Sequence, residues 1–312
     1  MSNCTTKAAK RRQLAVGEEC REGNELFGVW SLEFYLTVEP KDRVINDFQS
    51  MTHEKNIEIG IVGGHGKMGR WFHRYFDELG YRVSVADLDT QIRPQDLAPK
   101  CDVVLVAVPL QHTVEVVRSM GHLVKNDALL MDIASLKSEV LRTMLEVSSS
   151  SVIGTHPLFG PGEPNITGQT VVLCPGRGSE WLDWLTTVLL ESGAQVEVVA
   201  PEVHDFYMAV VQGLTHFTTL VLALTIDSLG MDLKSLQRFA TPAFHRRLME
   251  ISHLLNQDAD LYAAMPMLNS TYGVFFREFE RIILDLKRVI AKKDMEEFMR
   301  LFDAARDHFC SL

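Results

Sequence analysis

At 312 residues the chain is long enough for two compact units, since domains run to about 100–200 residues each. Its hydrophobic content of 46% and charged content of 23% are those of an ordinary globular protein, and a formal net charge of -10 argues against general nucleic-acid binding, which needs a basic footprint. Five scattered cysteines without ligand spacing read as reduced thiols of a cytoplasmic protein, and no apolar run approaches the roughly 18 residues of a membrane span. Neither a metal nor a membrane partner is expected.

Residues 1–56 read as an N-terminal extension. The segment is polar and mixed in charge up to Asn24, which predicts partial disorder, and then carries an aromatic cluster of Phe27, Trp30, Phe34 and Tyr35. Lys7, Lys10, Arg11 and Arg12 have no apolar signal core behind them. From Ile57 an apolar run to Val62 leads into Gly63-Gly64-His65-Gly66-Lys67-Met68-Gly69, followed by Met68, Phe72, Phe76 and Leu79 at helical spacing. A second apolar run, Val83 to Ala86, ends on Asp87.

This is strand, glycine turn, helix and strand, with an acid about 20 residues after the turn, where a dinucleotide fingerprint must lie. Glycines let the backbone approach a pyrophosphate, and free N–H groups with the dipole of the helix at Lys67 to Arg70 favour its charge. Asp87 is placed to accept hydrogen bonds from the adenine ribose, which favours NAD over NADP; Arg82 and Arg93 lie near enough in sequence to weaken that preference. The expected cofactor site comprises Gly63, Gly64, His65, Gly66, Lys67, Met68, Gly69 and Asp87, with Val108 and Pro109 at the end of the next strand.

That strand is the continuous apolar run Cys101 to Val108, as expected of a strand buried on both faces. A helix over Thr113 to Leu123, a strand over Ala128 to Ile133, a helix over Leu141 to Val147 and a strand over Ser151 to Gly154 follow. Strands over Gln169 to Cys174 and Gln195 to Val199 flank a helix over Glu180 to Ser192. The alternation predicts an α/β fold with a doubly wound, mostly parallel Rossmann sheet over residues 57–200. After Pro201 every segment has helical spacing: Glu202 to Leu229, Leu233 to Phe239, Pro242 to Asn256, Asp260 to Met267, Thr271 to Ala291 and Met295 to Phe309. Residues 201–312 are therefore expected to form an all-helical second domain for substrate binding and homodimer formation.

Ligands collect at the carboxyl ends of strands in such sheets, and two polar clusters fall there. One is Asp132 to Lys137 and the other Thr155 to Pro161, where His156 stands between a strand and a proline-stiffened loop. An imidazole that titrates near neutrality suits a general base, which makes His156 the leading candidate, with Ser135 placed to orient it. In the helical half His204, Gln212 and His216 share one helical face, and His216 reads equally as a structural or a substrate residue. Gln212 is a poor metal ligand. Arg246 and Arg247 are candidates to offer positive charge to a carboxylate.

The motifs IVGGHGKMGRWF, VAVPLQHTVEVV, LLMDIASLKSEVL, GTHPLFGP, the HD of PEVHD, VVQGLTHF and NQDADLYAAM, in this order, resemble the prephenate dehydrogenase family of tyrosine biosynthesis from Ile57 to Phe309. That resemblance implies NAD-dependent oxidative decarboxylation of prephenate to 4-hydroxyphenylpyruvate. His156 would accept the proton of the 4-hydroxyl, Ser135 would bridge His156, substrate and nicotinamide, and His204 would help fix the substrate. Several members carry an arginine for a substrate carboxylate where this chain has Thr215, which leaves Lys137, Arg246 and Arg247 as partners for that group. The change also admits relatives acting on arogenate or 4-amino-4-deoxyprephenate. The competing class is a non-catalytic NAD-binding sensor.

Overall fold

The computed structural model describes residues 57–310, and the expectations for residues 1–56 lie outside them. Seven strands form one sheet: β1 (Glu58–Val62), β2 (Arg82–Ala86), β3 (Val103–Val106), β4 (Leu129–Asp132), β5 (Ser151–Pro157), β6 (Thr170–Arg177) and β7 (Gln195–Val198). Their order is β2-β1-β3-β4-β5-β6-β7, parallel throughout except between β5 and β6. The chain leaves β1 toward β2 on one side and returns to β3 on the other. That reversal opens a crevice at the carboxyl ends of β1 and β3, where ligands of doubly wound sheets bind.

Period-two alternation fills both faces of the sheet. Val104, Val106 and Leu130 enter a core with helices α3 (Leu110–Met120) and α4 (Ser138–Val147); the short α2 (Pro94–Leu97) precedes them in the chain. Val103, Leu105, Leu129 and Met131 enter the opposite core with α1 (Lys67–Glu78) and α5 (Ser179–Glu191). Aromatic rings of α1, Trp71, Phe72, Tyr75 and Phe76, stack edge-on or tilted along that face.

β5 is longer than its sequence suggests. Antiparallel pairing with β6 sets Thr155 opposite Leu173, His156 opposite Val172 and Pro157 opposite Val171. His156 is therefore a strand residue with its backbone fixed by the sheet, and not a loop residue.

The helical half is α6 (Pro201–Met208), a π-helical stretch at Ala209–Leu214, α7 (Thr215–Ser228), α8 (Leu233–Arg238), α9 (Pro242–Leu255), α10 (Ala259–Leu268), α11 (Tyr272–Lys292) and α12 (Met295–Phe309). Pro201 starts α6 at a position that needs no N–H. The run Pro201–Ser228 is unbroken and, against the sequence expectation, long and apolar enough to cross a membrane by length and composition alone. Its first turns nevertheless bury His204 and Asp205 against α4, while α10 packs on α3 and on the π-helical stretch. α8, α9 and α12 bury no residue of their own, and Leu224, Met249, Leu284, Met299 and Phe302 are exposed.

Candidate active site

The glycine turn closes over the crevice. Gly63 has φ +84°, in the region that favours glycine, and a Cβ on it would meet the carbonyl oxygen of Ala107 at 2.6 Å and Val108 at 2.9 Å. A Cβ on Gly69 would meet the Gly63 oxygen at 2.1 Å, so α1 starts as close to β1 as backbone permits. His65, Gly66 and Lys67 are exposed at the helix start and Met68 is half-buried, whereas Gly63, Gly64 and Gly69 are buried. Asp87, half-buried at the end of β2, accepts the His65 N–H at 2.8 Å. Val108 and Pro109 follow β3 on the far side of the turn, with Pro109 capping α3. A backbone cradle that a side chain would fill, at a helix N-terminus with an acid beside it, fits an adenine dinucleotide.

The other wall is built by the ends of β4 and β5. Asp132 and Lys137 have fully buried side chains, each 0% exposed. The Lys137 ammonium bonds an Asp132 carboxylate oxygen and donates to the Thr155 carbonyl at 2.7 Å, while Ala134 N–H donates to the same Asp132 oxygen at 2.8 Å. Burial raises the Asp132 carboxyl above its ordinary range against the opposing pull of Lys137. Lys137, a candidate for the substrate carboxylate, thus has its charge turned to Asp132 and its side chain closed off from solvent. It fixes the strand that carries His156.

His156 and His204 are both buried, and their rings meet at 73° with His156 Nδ1 2.8 Å from His204 Nε2. His204 Nδ1 lies 2.8 Å from Asp205 Oδ1. A carboxylate only accepts, so Nδ1 of His204 carries the proton and, in the neutral ring, its Nε2 accepts from Nδ1–H of His156. The chain of bonds leaves the lone pair of His156 on Nε2. Burial holds the His156 imidazole well below its usual titration, assisted by His204 and Lys137, so it stays neutral and able to accept a proton.

Asp205 is itself anchored. Its carboxylate accepts the backbone N–H groups of Lys137 at 2.8 Å and Ser138 at 2.9 Å, the start of α4, and its carbonyl accepts Asn269 Nδ2 at 2.8 Å. Burial alone would raise its carboxyl; bonds from His204, Ser138 and Lys137 outweigh that and hold it low.

His204 has both ring nitrogens engaged, one by His156 and the other by Asp205. Ser135, half-buried after β4, makes no hydrogen bond to His156 among the described residues, where the ring is met by His204. Gln212 does approach the site. The π-helical stretch brings its Nε2 to 3.4 Å from His156 Nε2, while its buried Oε1 has no protein partner. That stretch fits because Gly213 has no Cβ, which would lie 2.6 Å from the Tyr272 ring.

Thr215 is exposed, and its hydroxyl reaches only the Val210 carbonyl at 3.4 Å. His216 stacks on Tyr262, its Nδ1 is buried without a partner, and burial lowers its titration. Arg246 is exposed on α9, and Arg247 pairs with Glu250 at 2.9 Å. α9, which carries both arginines, packs on α7.

Comparison with known proteins decides the family. Residues 78–198 match the model described as prephenate dehydrogenase, nucleotide-binding domain, and residues 200–304 match prephenate dehydrogenase, dimerization domain. A "probable arogenate/prephenate dehydrogenase" of Methanocaldococcus jannaschii is 33% identical over 82% of this chain, and a "T-protein" of Haemophilus influenzae is 32% identical over 85% of it. The chain belongs to the prephenate dehydrogenase family. It spans 62% of the length of the first of these relatives and 70% of the second. The crystal structure of prephenate dehydrogenase from A. aeolicus with hydroxyphenyl propionate and NAD+ shares the fold at a TM-score of 0.66, with 19% identity, covering 82% of this chain and 98% of that one.

Within this prephenate dehydrogenase fold, the matches to the two parts of the family model meet between β7 and α6, and His156 and His204 lie on either side of that junction. The Rossmann half is the family's nucleotide-binding domain. Asp132 opens one of the two polar clusters and Asp205 is the acid of the HD motif, but the sequence assigns neither a role.

Proposed function

We propose that the protein is an NAD-dependent dehydrogenase that converts prephenate to 4-hydroxyphenylpyruvate and carbon dioxide. The observation that carries this reading is the Asp205–His204–His156 chain, which aims a neutral acceptor nitrogen out of β5 beside the half-buried amide of Gln212. Gly63 to Gly69, with Asp87 and Val108, would hold the cofactor; bound NAD supplies the hydride acceptor for the ring carbon bearing the 4-hydroxyl. His156 Nε2 takes the hydroxyl proton as that carbon is oxidised. Loss of the ring carboxylate as carbon dioxide leaves its electron pair in the ring, and the proton returns to the oxygen as the phenol forms. Aromatisation drives the sequence, so the protein's task is alignment and a placed proton acceptor. Gln212, whose Oε1 has no protein partner, is placed to bind substrate.

A second substrate is favoured by one observation. Among the described residues no lysine or arginine hydrogen-bonds His156 or Gln212, and Lys137 is held by Asp132, a poorer setting for a dianion than for arogenate or 4-amino-4-deoxyprephenate, in which an ammonium offsets one of the two carboxylates. The exposed apolar faces of α7, α9, α11 and α12 support a homodimer through the helical half, consistent with the dimerization model. The test is purified protein with prephenate, arogenate and 4-amino-4-deoxyprephenate, following NADH absorbance. Turnover of any one supports the dehydrogenase and ranks the substrates; NAD binding with no turnover of all three leaves the sensor.

A further inference from the structure

Two carboxylates, and not one, stand where the glycine turn meets the end of β2. His65 N–H donates to Asp87 Oδ2 at 2.8 Å, and the His65 ring meets Asp89 Oδ1 through Nδ1 at 2.7 Å. The other Asp87 oxygen accepts the Leu88 N–H at 2.7 Å. Thr90 stiffens the segment that carries both acids: its hydroxyl accepts from Asp87 N–H at 2.8 Å and lies 2.9 Å and 2.7 Å from the carbonyls of Asp87 and Ile92. His65 thus latches the loop after β2 onto the turn twice, once through its backbone and once through its ring.

We infer that Asp89, held by His65, is a second determinant of cofactor choice beside Asp87. The inference rests on reading Gly63 to Gly69 as a dinucleotide site. An adenosine ribose at the end of β2 would present its 2′ position to this edge, where a hydroxyl can donate but a phosphate meets two like charges. Asp87 already has a backbone N–H on each oxygen, which offsets part of its repulsion. Asp89, with a side chain 72% exposed, meets the His65 ring. Among the described residues no other hydrogen bond or ion pair holds its carboxylate at the turn, so His65 acts through Asp89.

The prediction is a double-mutant cycle on the full chain, with Kd for NAD+ and NADP+ read by titration calorimetry. Exposed charges a few ångströms apart interact by about 1 kcal/mol in water and less with salt, so Asp89→Asn is expected to shift the affinity ratio toward NADP+ by about three- to tenfold, with NAD+ affinity within about twofold of the parent. His65→Ala is expected to shift the ratio the same way, and the double variant to add nothing to Asp89→Asn. An unchanged ratio for Asp89→Asn, or full additivity in the double variant, overturns the inference. A parent protein that binds neither dinucleotide overturns instead the reading of the turn on which it rests.

Discussion

Lys137→Met separates an internal ion pair from a ligand-binding lysine. Methionine keeps nearly the length of the side chain and removes the ammonium, which leaves the Asp132 carboxylate with only the Ala134 N–H at 2.8 Å, its Oδ1 already lacking a partner. The Thr155 carbonyl, one residue before His156, loses its donor as well. Breaking one side of a buried pair costs about 3–5 kcal/mol, because the remaining charge has neither water nor counterion. At about 2–4 °C per kcal/mol for a body of this size, the melting midpoint should fall by roughly 6–20 °C, measured by circular dichroism near neutral pH. The double variant Asp132→Leu with Lys137→Met removes both charges and should recover at least half of that loss, since apolar groups of similar volume replace buried pairs at little cost. A midpoint within about 2 °C of the parent for Lys137→Met, with KM for substrate raised tenfold or more, would show that the ammonium faces the ligand and refute the reasoning.

Asp205→Asn keeps the shape of the carboxylate but removes its charge and sets an NH2 against the backbone N–H of either Lys137 or Ser138, so the amide no longer holds the proton on Nδ1 of His204 or the start of α4 as the carboxylate does. kcat is expected to fall by about 100-fold or more while NAD affinity holds, and an unaltered kcat contradicts the relay. The acid limb of kcat/KM should lie well under pH 6.5: the depressed folded value keeps His156 neutral in the free enzyme, so the rate is full above it and lost as pH falls through it, and a limb at or above 6.5 in that profile speaks against the neutral base. Gly69→Ala drives a methyl into the Gly63 carbonyl, 2.1 Å from an ideal Cβ, and is expected to weaken NAD at least tenfold by calorimetry; unchanged affinity would mean that the turn is not the cradle.

The fold was legible in the sequence because each half has its own period. Short apolar runs such as Val103 to Val108, rich in β-branched residues and stopped by a proline, fit strands covered on both faces, and nothing after Pro201 alternates as a strand does. His156 was legible as a residue but not as a strand residue, because the pairing that fixes it comes from β6, which local sequence cannot announce. The burial of Lys137 was hidden for a related reason. A lysine after a strand usually points to solvent, and only the approach of β5 supplies the Thr155 carbonyl and closes water away from it. The meeting of His204 with His156 was not legible because α6 docks on α4 through Asp205, sixty-eight residues from Lys137, a contact no spacing rule contains.

The account turns on whether the nitrogen that β5 presents to the crevice takes the substrate's proton. The direct measurement is steady-state turnover of His156→Asn on whichever substrate the parent uses, with NAD affinity measured on the same sample. The account predicts turnover reduced by about 100-fold or more with NAD affinity nearly unchanged. Turnover within a few fold of the parent would contradict it.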